Sequence, residues 1–278
     1  MNTQPKQICI EEVGFSPPKP TATSTVYQAK NFLEVVTFRA LQKNLSRYRR
    51  IDKTTYLDRS TGELKTYRRK ERSSTDQATK CKRSYVVLRR ILLANFTASK
   101  SELHIVLTVE PQRDADLPSL NQYFRKFWKR FHYYYPTCEY VAIAEPHQTG
   151  RFHFHLLLLD ISGRQLIVPN EKVQNLWQIG FTQTERIRNV DKLVSYLCSA
   201  NKRNLWAAFY QPGQRLFRCS KNIARPVAKK MSRKEVDAYA EREGFECVTG
   251  YSYAVCQDGG EGPGRTLNVI THEQFRRR

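Results

Sequence analysis

The sequence predicts an α+β fold organised around one antiparallel sheet of split β-α-β topology, with helices on one face. Three observations carry this. Segments of strand and helix character alternate between residues 103 and 201. The short connection at residues 146 to 150 is of the type that folds two strands back as a hairpin. The run Gly150-Arg151-Phe152-His153-Phe154-His155-Leu156-Leu157-Leu158-Leu159-Asp160 reads as a buried strand. A flexible arm (1 to 25) and a basic extension (26 to 99) are expected before a central domain (100 to 212), with a small α+β piece (213 to 278) after it.

Composition narrows the function. The 278 residues hold 47 Lys and Arg against 26 Asp and Glu, a net charge of +21, with 15 Tyr and 14 Phe. Such an excess favours a polyanion, nucleic acid before membrane, because phosphate neutralisation releases counterions. The bland alternative is a basic, solvated surface. Basic and aromatic residues interleave in Arg47-Tyr48-Arg49-Arg50 and Tyr67-Arg68-Arg69-Lys70, which suits phosphate contact combined with base stacking. No run is long and apolar enough to span a bilayer, and the first residues lack a secretory pattern, so no membrane partner and a cytoplasmic location are expected. The 7 cysteines are scattered without Cys-x-x-Cys spacing, which argues for reduced thiols and against structural zinc.

Taken in order, residues 1 to 25 are rich in Pro, Thr and Ser and show no periodicity. Residues 27 to 50 mix β-branched and helical signals. Residues 52 to 76 read as a basic loop or hairpin turning at Ser60-Thr61-Gly62. Tyr85, Leu88, Ile91 and Leu92 give residues 82 to 95 one apolar stripe of a basic helix that includes Arg89 and Arg90. Residues 103 to 109 are a β-branched strand stopped by Pro111. Leu120, Tyr123, Phe124, Phe127, Trp128 and Phe131 stripe the next helix, and aromatics into the core is its plain explanation.

Residues 139 to 145 form the strand before the hairpin and end at Glu145. In the strand that follows, His153 and His155 share a face, while Phe152, Phe154, Leu156 and Leu158 take the other. Two imidazoles about 7 Å apart on one strand face can converge on a divalent cation if Glu145 joins them. A strand with one end in solvent would tolerate the same pair without any metal. Residues 170 to 177 read as a short helix, 180 to 187 as a strand and 189 to 201 as a helix. That helix carries Lys192, Tyr196 and Ser199 beside its Leu193 and Leu197 stripe. The order is that of ferredoxin-like sheets, with an open face carrying the histidines. After residue 204, Ser232-Arg233-Lys234-Glu235 is a capping box, strand-like runs follow at 245 to 255 and 266 to 271, and Arg276 to Arg278 read as solvated charge.

Residues 80 to 228 resemble the HUH endonuclease superfamily, and more closely the rolling-circle replication initiators of small plasmids and filamentous-type phages. The likeness is carried by Leu107-Thr108-Val109, by Glu145 with the histidine strand, by Leu176-Trp177-Gln178-Ile179-Gly180-Phe181, and by Arg188-Asn189-Val190-Asp191-Lys192-Leu193-Val194-Ser195-Tyr196-Leu197. Flanking segments at 88 to 96 and 219 to 226 are similar too.

The resemblance implies that His153, His155 and Glu145 hold one Mg2+ or Mn2+ ion and that Tyr196 attacks a phosphodiester of single-stranded or hairpin origin DNA. A 5′-phosphotyrosine and a free 3′-OH would result, and the reverse reaction would rejoin the strand. It further implies a bacterial host that supplies helicase and polymerase, since no nucleotide-binding Gly-x-x-x-x-Gly-Lys motif is present. Arg151, Arg89 and Arg90 are DNA-contact candidates with Lys192, Lys202 and Arg203. Where such initiators often carry a lysine three residues after the tyrosine, this chain has Ser199. Lys192, Lys202 or Arg203 would have to supply that charge. A single-tyrosine transposase or relaxase would share the chemistry, and a non-catalytic nucleic-acid-binding protein would share the fold.

Overall fold

A computed structural model describes residues 8–29, 31–39, 48–58, 61–66, 74–211, 213–257 and 265–277. Strands β1 (Ile8–Val13), β2 (Thr23–Ala29) and β3 (Phe32–Phe38) come first. A small ribbon follows, β4 (Tyr48–Arg50), β5 (Thr55–Asp58) and β6 (Glu63–Thr66), and then helix α1 (Ser74–Asn95). Of the interleaved basic stretches, Arg47 and Tyr67 to Lys70 lie outside the described residues, as do Ser60 and Arg278. The central run is β7 (Glu102–Leu107), α2 (Leu117–Tyr134), β8 (Cys138–Pro146), β9 (Phe152–Asp160), α3 (Asn170–Trp177), β10 (Thr182–Arg186), α4 (Val190–Leu197) and α5 (Ala200–Phe209). Last are β11 (Phe217–Cys219), β12 (Ala228–Ser232), α6 (Arg233–Arg242), β13 (Phe245–Gln257) and β14 (Arg265–Arg277).

The central sheet has the order β10-β7-β9-β8-β11, every pair antiparallel. Without β11 this is the ferredoxin-like order that the sequence predicts. The β8–β9 register sets Glu145 opposite His153 and Ile143 opposite His155. On the other flank of β9, β7 sets Val106 opposite His155 and His104 opposite Leu157. Opposed residues share a face, so this register alone gathers Glu145, His153, His155 and His104 on one side of the sheet.

The other side packs against α2 and α3. Leu120, Phe124, Phe127 and Phe131 are buried, with the Phe124 ring 4.9 Å from Phe154 and the Phe127 ring 5.7 Å from Trp177. Asp116 caps α2 by accepting from the Ser119 amide at 2.9 Å, and proline stands in its first turn. The histidine face is not open, as expected, but partly roofed. The Tyr85, Leu88, Ile91 and Leu92 stripe of α1 is buried in the same core, and Tyr85 packs 5.0 Å from Trp206 of α5. An apolar stripe of that width needs a partner surface, and this face provides it.

At two places the backbone is tightly constrained near the site. Gly180 passes so near β7 that a Cβ on it would lie 2.5 Å from the Thr108 carbonyl oxygen, the atom that also accepts from Trp177 Nε1 at 2.6 Å. The single helix expected over 189 to 201 is two helices. Asn189 caps α4, and the Ser199 side chain caps α5, because a serine hydroxyl competes well for free amides at a helix start.

The largest departure concerns the ends of the described chain. Within the arm expected over 1 to 25, residues 8 to 13 are β1, paired with β13, and residues 23 to 25 open β2. The piece expected after 213 contributes β12, β13 and β14 to the same six-stranded sheet, order β1-β13-β14-β3-β2-β12, and β11 to the central one. Long strands such as β13 and β14 present hydrogen-bonding edges that pairing satisfies. Helix α6, started by the expected Ser232–Glu235 capping box, covers one face through Val236 and Ala240 against Val26, Leu33, Val35 and Phe275. Arg276 and Arg277 are not solvated charge: they pair with Asp191 and Glu243.

Candidate active site

Ligand atoms of Glu145, His153 and His155 all lie within 4.8 Å of one another. His155 Nε2 stands 2.9 Å from a Glu145 carboxylate oxygen and 3.3 Å from His153 Nε2. Behind them is a residue the sequence reading passed over. His104, 4% exposed, places Nε2 at 3.0 Å from His155 Nδ1, and its own Nδ1 at 2.8 Å from Glu185. The signal for it was present: His104 alternates with the apolar Leu103 and Ile105, on the residue parity that turns a strand toward the histidine face.

Protons in this chain are fixed by elimination. The Glu185 carboxylate accepts, so in neutral imidazoles His104 Nδ1 donates and His104 Nε2 must accept from His155 Nδ1. His155 Nε2 is then a bare lone pair aimed at a carboxylate and a second imidazole. Burial and the neighbouring His155 push His104 down to about 4, although Glu185 pulls it upward. Burial, then His155, pushes His153 down to about 3, and its Nδ1 is buried with no hydrogen-bond partner among the described residues. For Glu145, burial opposes ionisation, but bonds from His155 and Lys202 outweigh it and hold the carboxyl at about 2.

Two neutral imidazoles and one ionised carboxylate thus converge with lone pairs facing inward. Such a set calls for a cation among them, and its mixed nitrogen and oxygen donors fit a divalent metal ion with positions left for a phosphate oxygen. The His104–Glu185 chain is the outer hydrogen bonding that metal-binding imidazoles require.

Tyr196 stands on α4 at the mouth of this cluster, 54% exposed. Its ring meets that of His155 edge-on at 6.0 Å. Lys202 Nζ lies 3.6 Å from the centroid of the same ring and bonds both Glu145 oxygens, one at 2.5 Å. The place where the resemblance expects a lysine is thus the cap residue Ser199, and Lys202 brings an ammonium to the tyrosine from the first turn of α5.

Of the sequence-predicted residues, the structure brings together Glu145, His153, His155, Tyr196 and Lys202. Lys192 is exposed on α4, and Arg203 follows Lys202, half-buried. Arg151 instead ties down the 109 to 113 loop by donating to the carbonyls of Val109, Glu110 and Arg113. Arg89 and Arg90 both pair with Glu34, a buried residue of β3. These three guanidiniums join parts of the chain to one another.

Residues 102–204 match the family model of the replication-associated protein ORF2, which is consistent with a rolling-circle replication initiator. The match runs from the start of β7 into α5 and contains every residue of the cluster, while both flanking parts of the six-stranded sheet lie outside it. No curated protein and no solved structure gives a significant match. Among the described residues, no helix is long and apolar enough to cross a membrane.

Proposed function

We propose that the chain nicks and rejoins single-stranded origin DNA, with Tyr196 as nucleophile. The observation that carries this reading is the meeting of an exposed tyrosine, a lysine and a three-residue ligand cluster at one point, within the stretch that matches a replication-associated family. Binding alone requires no such convergence.

In the forward step the Tyr196 oxygen forms a bond to phosphorus as the bond from phosphorus to the 3′ oxygen breaks. The phenolic proton is lost, and the leaving 3′ oxygen takes one up. One phosphodiester is exchanged for another, so the reverse attack by the 3′-OH needs no outside energy source. The Lys202 ammonium beside the ring favours phenolate over phenol and attracts the anionic phosphate. Burial keeps His104 and His153 neutral at neutral pH, so their lone pairs are not lost to protons. The His104–Glu185 chain orients His155. Glu145, His153 and His155 would hold the Mg2+ or Mn2+ ion, which supplies Lewis-acid charge at the scissile phosphate.

The test is incubation of the protein and its Tyr196→Phe variant with single-stranded origin DNA and Mn2+, followed by denaturing electrophoresis. A covalent adduct formed by the parent, lost in EDTA and missing from the variant, is expected. An adduct that survives Tyr196→Phe would reassign the nucleophile. If both proteins bind the strand in chelator and neither cleaves it, the chain is a binding module.

A further inference from the structure

On the six-stranded sheet, the face that meets α1 carries an aromatic group lying outside the family match. Tyr251 on β13 is opposed by His272 on β14 and is followed on the same face by Tyr253. The rings lie nearly parallel: Tyr251 and His272 at 5.0 Å and 5°, Tyr253 and His272 at 5.6 Å and 21°. Rings that served only as core would be buried, yet Tyr251 is 51% exposed and its two neighbours are partly so.

A second observation links these rings to the candidate active site. His272, Gln274 and Arg276 alternate onto one face of β14. Arg276 pairs with Asp191 of α4, the helix that carries Tyr196. Gln274 accepts from Arg89 at 2.5 Å, and His272 belongs to the aromatic group. From Arg276 to His272 is about 13 Å of strand. Cations line the way. Arg90 holds Glu34 closely, whereas Arg89 reaches it at 3.4 Å with 32% of its side chain exposed. Arg89 and Arg203 both act on Cys198, at the break between α4 and α5. Beyond the rings, β1 sets the exposed Glu12 opposite Tyr253, and the positive track ends there.

We propose that Tyr251, Tyr253 and His272 form a base-stacking platform for the single-stranded DNA that flanks the scissile phosphate, its backbone passing Arg203 and Arg89. The occupant follows from the chemistry: every base has a π-face that exposed aromatic rings accept without regard to sequence, and the cations beside them match phosphate. The proposal rests on the nicking reading for the strand's direction of travel, and on the platform's own geometry for binding.

The experiment separates the two. Affinity of the full chain for fluorescein-labelled oligodeoxythymidylate is measured by anisotropy in EDTA at one fixed salt concentration. The parent is compared with Tyr251→Ala/His272→Ala, Tyr251→Phe and Tyr196→Phe. The double variant should bind about tenfold more weakly, while Tyr251→Phe and Tyr196→Phe keep the parent affinity. Oligonucleotides carrying 5-iodouracil a few positions from the nick site should photo-crosslink to Tyr251 or Tyr253. Parent-like affinity in a folded double variant, or crosslinks confined to other residues, overturns the platform. A missing Tyr196 adduct together with Tyr251-dependent binding overturns the nicking reading and leaves the platform standing.

Discussion

Replacing His104 by phenylalanine isolates the outer hydrogen bond on His155. The substitution keeps a ring of similar volume at a site that is 4% exposed. It leaves His155 Nδ1 without its partner at 3.0 Å and Glu185 without its bond at 2.8 Å. An orphaned buried donor costs about 1–3 kcal/mol. Loss of an outer partner behind a metal-binding imidazole costs about 10- to 100-fold in metal affinity, or about 1.4–2.7 kcal/mol. Mn2+ titration followed by calorimetry should therefore show weaker binding in that range, with a smaller loss for Glu185→Gln because that side chain is 54% exposed. Adduct formation should recover at saturating Mn2+, since His104 orients a ligand and does not touch the phosphate. Parent-like Mn2+ affinity in a folded His104→Phe protein, or an adduct defect that high Mn2+ leaves unchanged, would refute the reasoning.

Three further outcomes are expected. Lys202→Met should slow adduct formation at saturating Mn2+ by about 10- to 100-fold through loss of the charge beside Tyr196, and Lys202→Arg should restore part of it; rapid-quench assays read both. Gly180→Ala should lower the urea midpoint by the equivalent of about 1–3 kcal/mol, because its Cβ would meet the Thr108 carbonyl. Burial lowers the His272 pKa below its ordinary value, against the pull of Glu34. A depressed imidazole makes the folded state bind protons less readily than the unfolded chain. Its stability is therefore fully present above pH about 6.5 and falls as the pH drops through that value. Melting temperatures of the parent should decline more steeply between about pH 7 and 5 than those of His272→Gln.

Local patterns made most of the site legible. Period two along 152 to 160 put both histidines on one face, and a short hairpin made Glu145 their neighbour. His104 went unread because its partner is 51 residues away, and only the β7–β9 register brings the two together. Lys202 was misplaced for a different reason. In one unbroken helix, six residues after Tyr196 is a turn of roughly 240°, on another side of the axis. The cap at Ser199 redirects the chain and returns the ammonium to the ring. Arg89, Arg90 and Arg151 looked like DNA contacts because charge alone does not say whether a carboxylate or carbonyl of the same chain has claimed a guanidinium. The six-stranded sheet joins segments more than two hundred residues apart, a pairing that no local periodicity records.

That pairing has a consequence for how the protein comes off the ribosome. Strand β3 is an apolar run whose far edge bonds to β14, and β1 bonds only to β13. During synthesis the β2–β3 hairpin therefore waits with an open, sticky edge until residues 265 to 277 emerge. The stretch holding the ligand cluster and Tyr196, by contrast, closes largely on itself and can fold earlier. A nascent chain would thus possess its cutting chemistry before it possesses the sheet beside it, so the slow assembly step controls when the aromatic face becomes available.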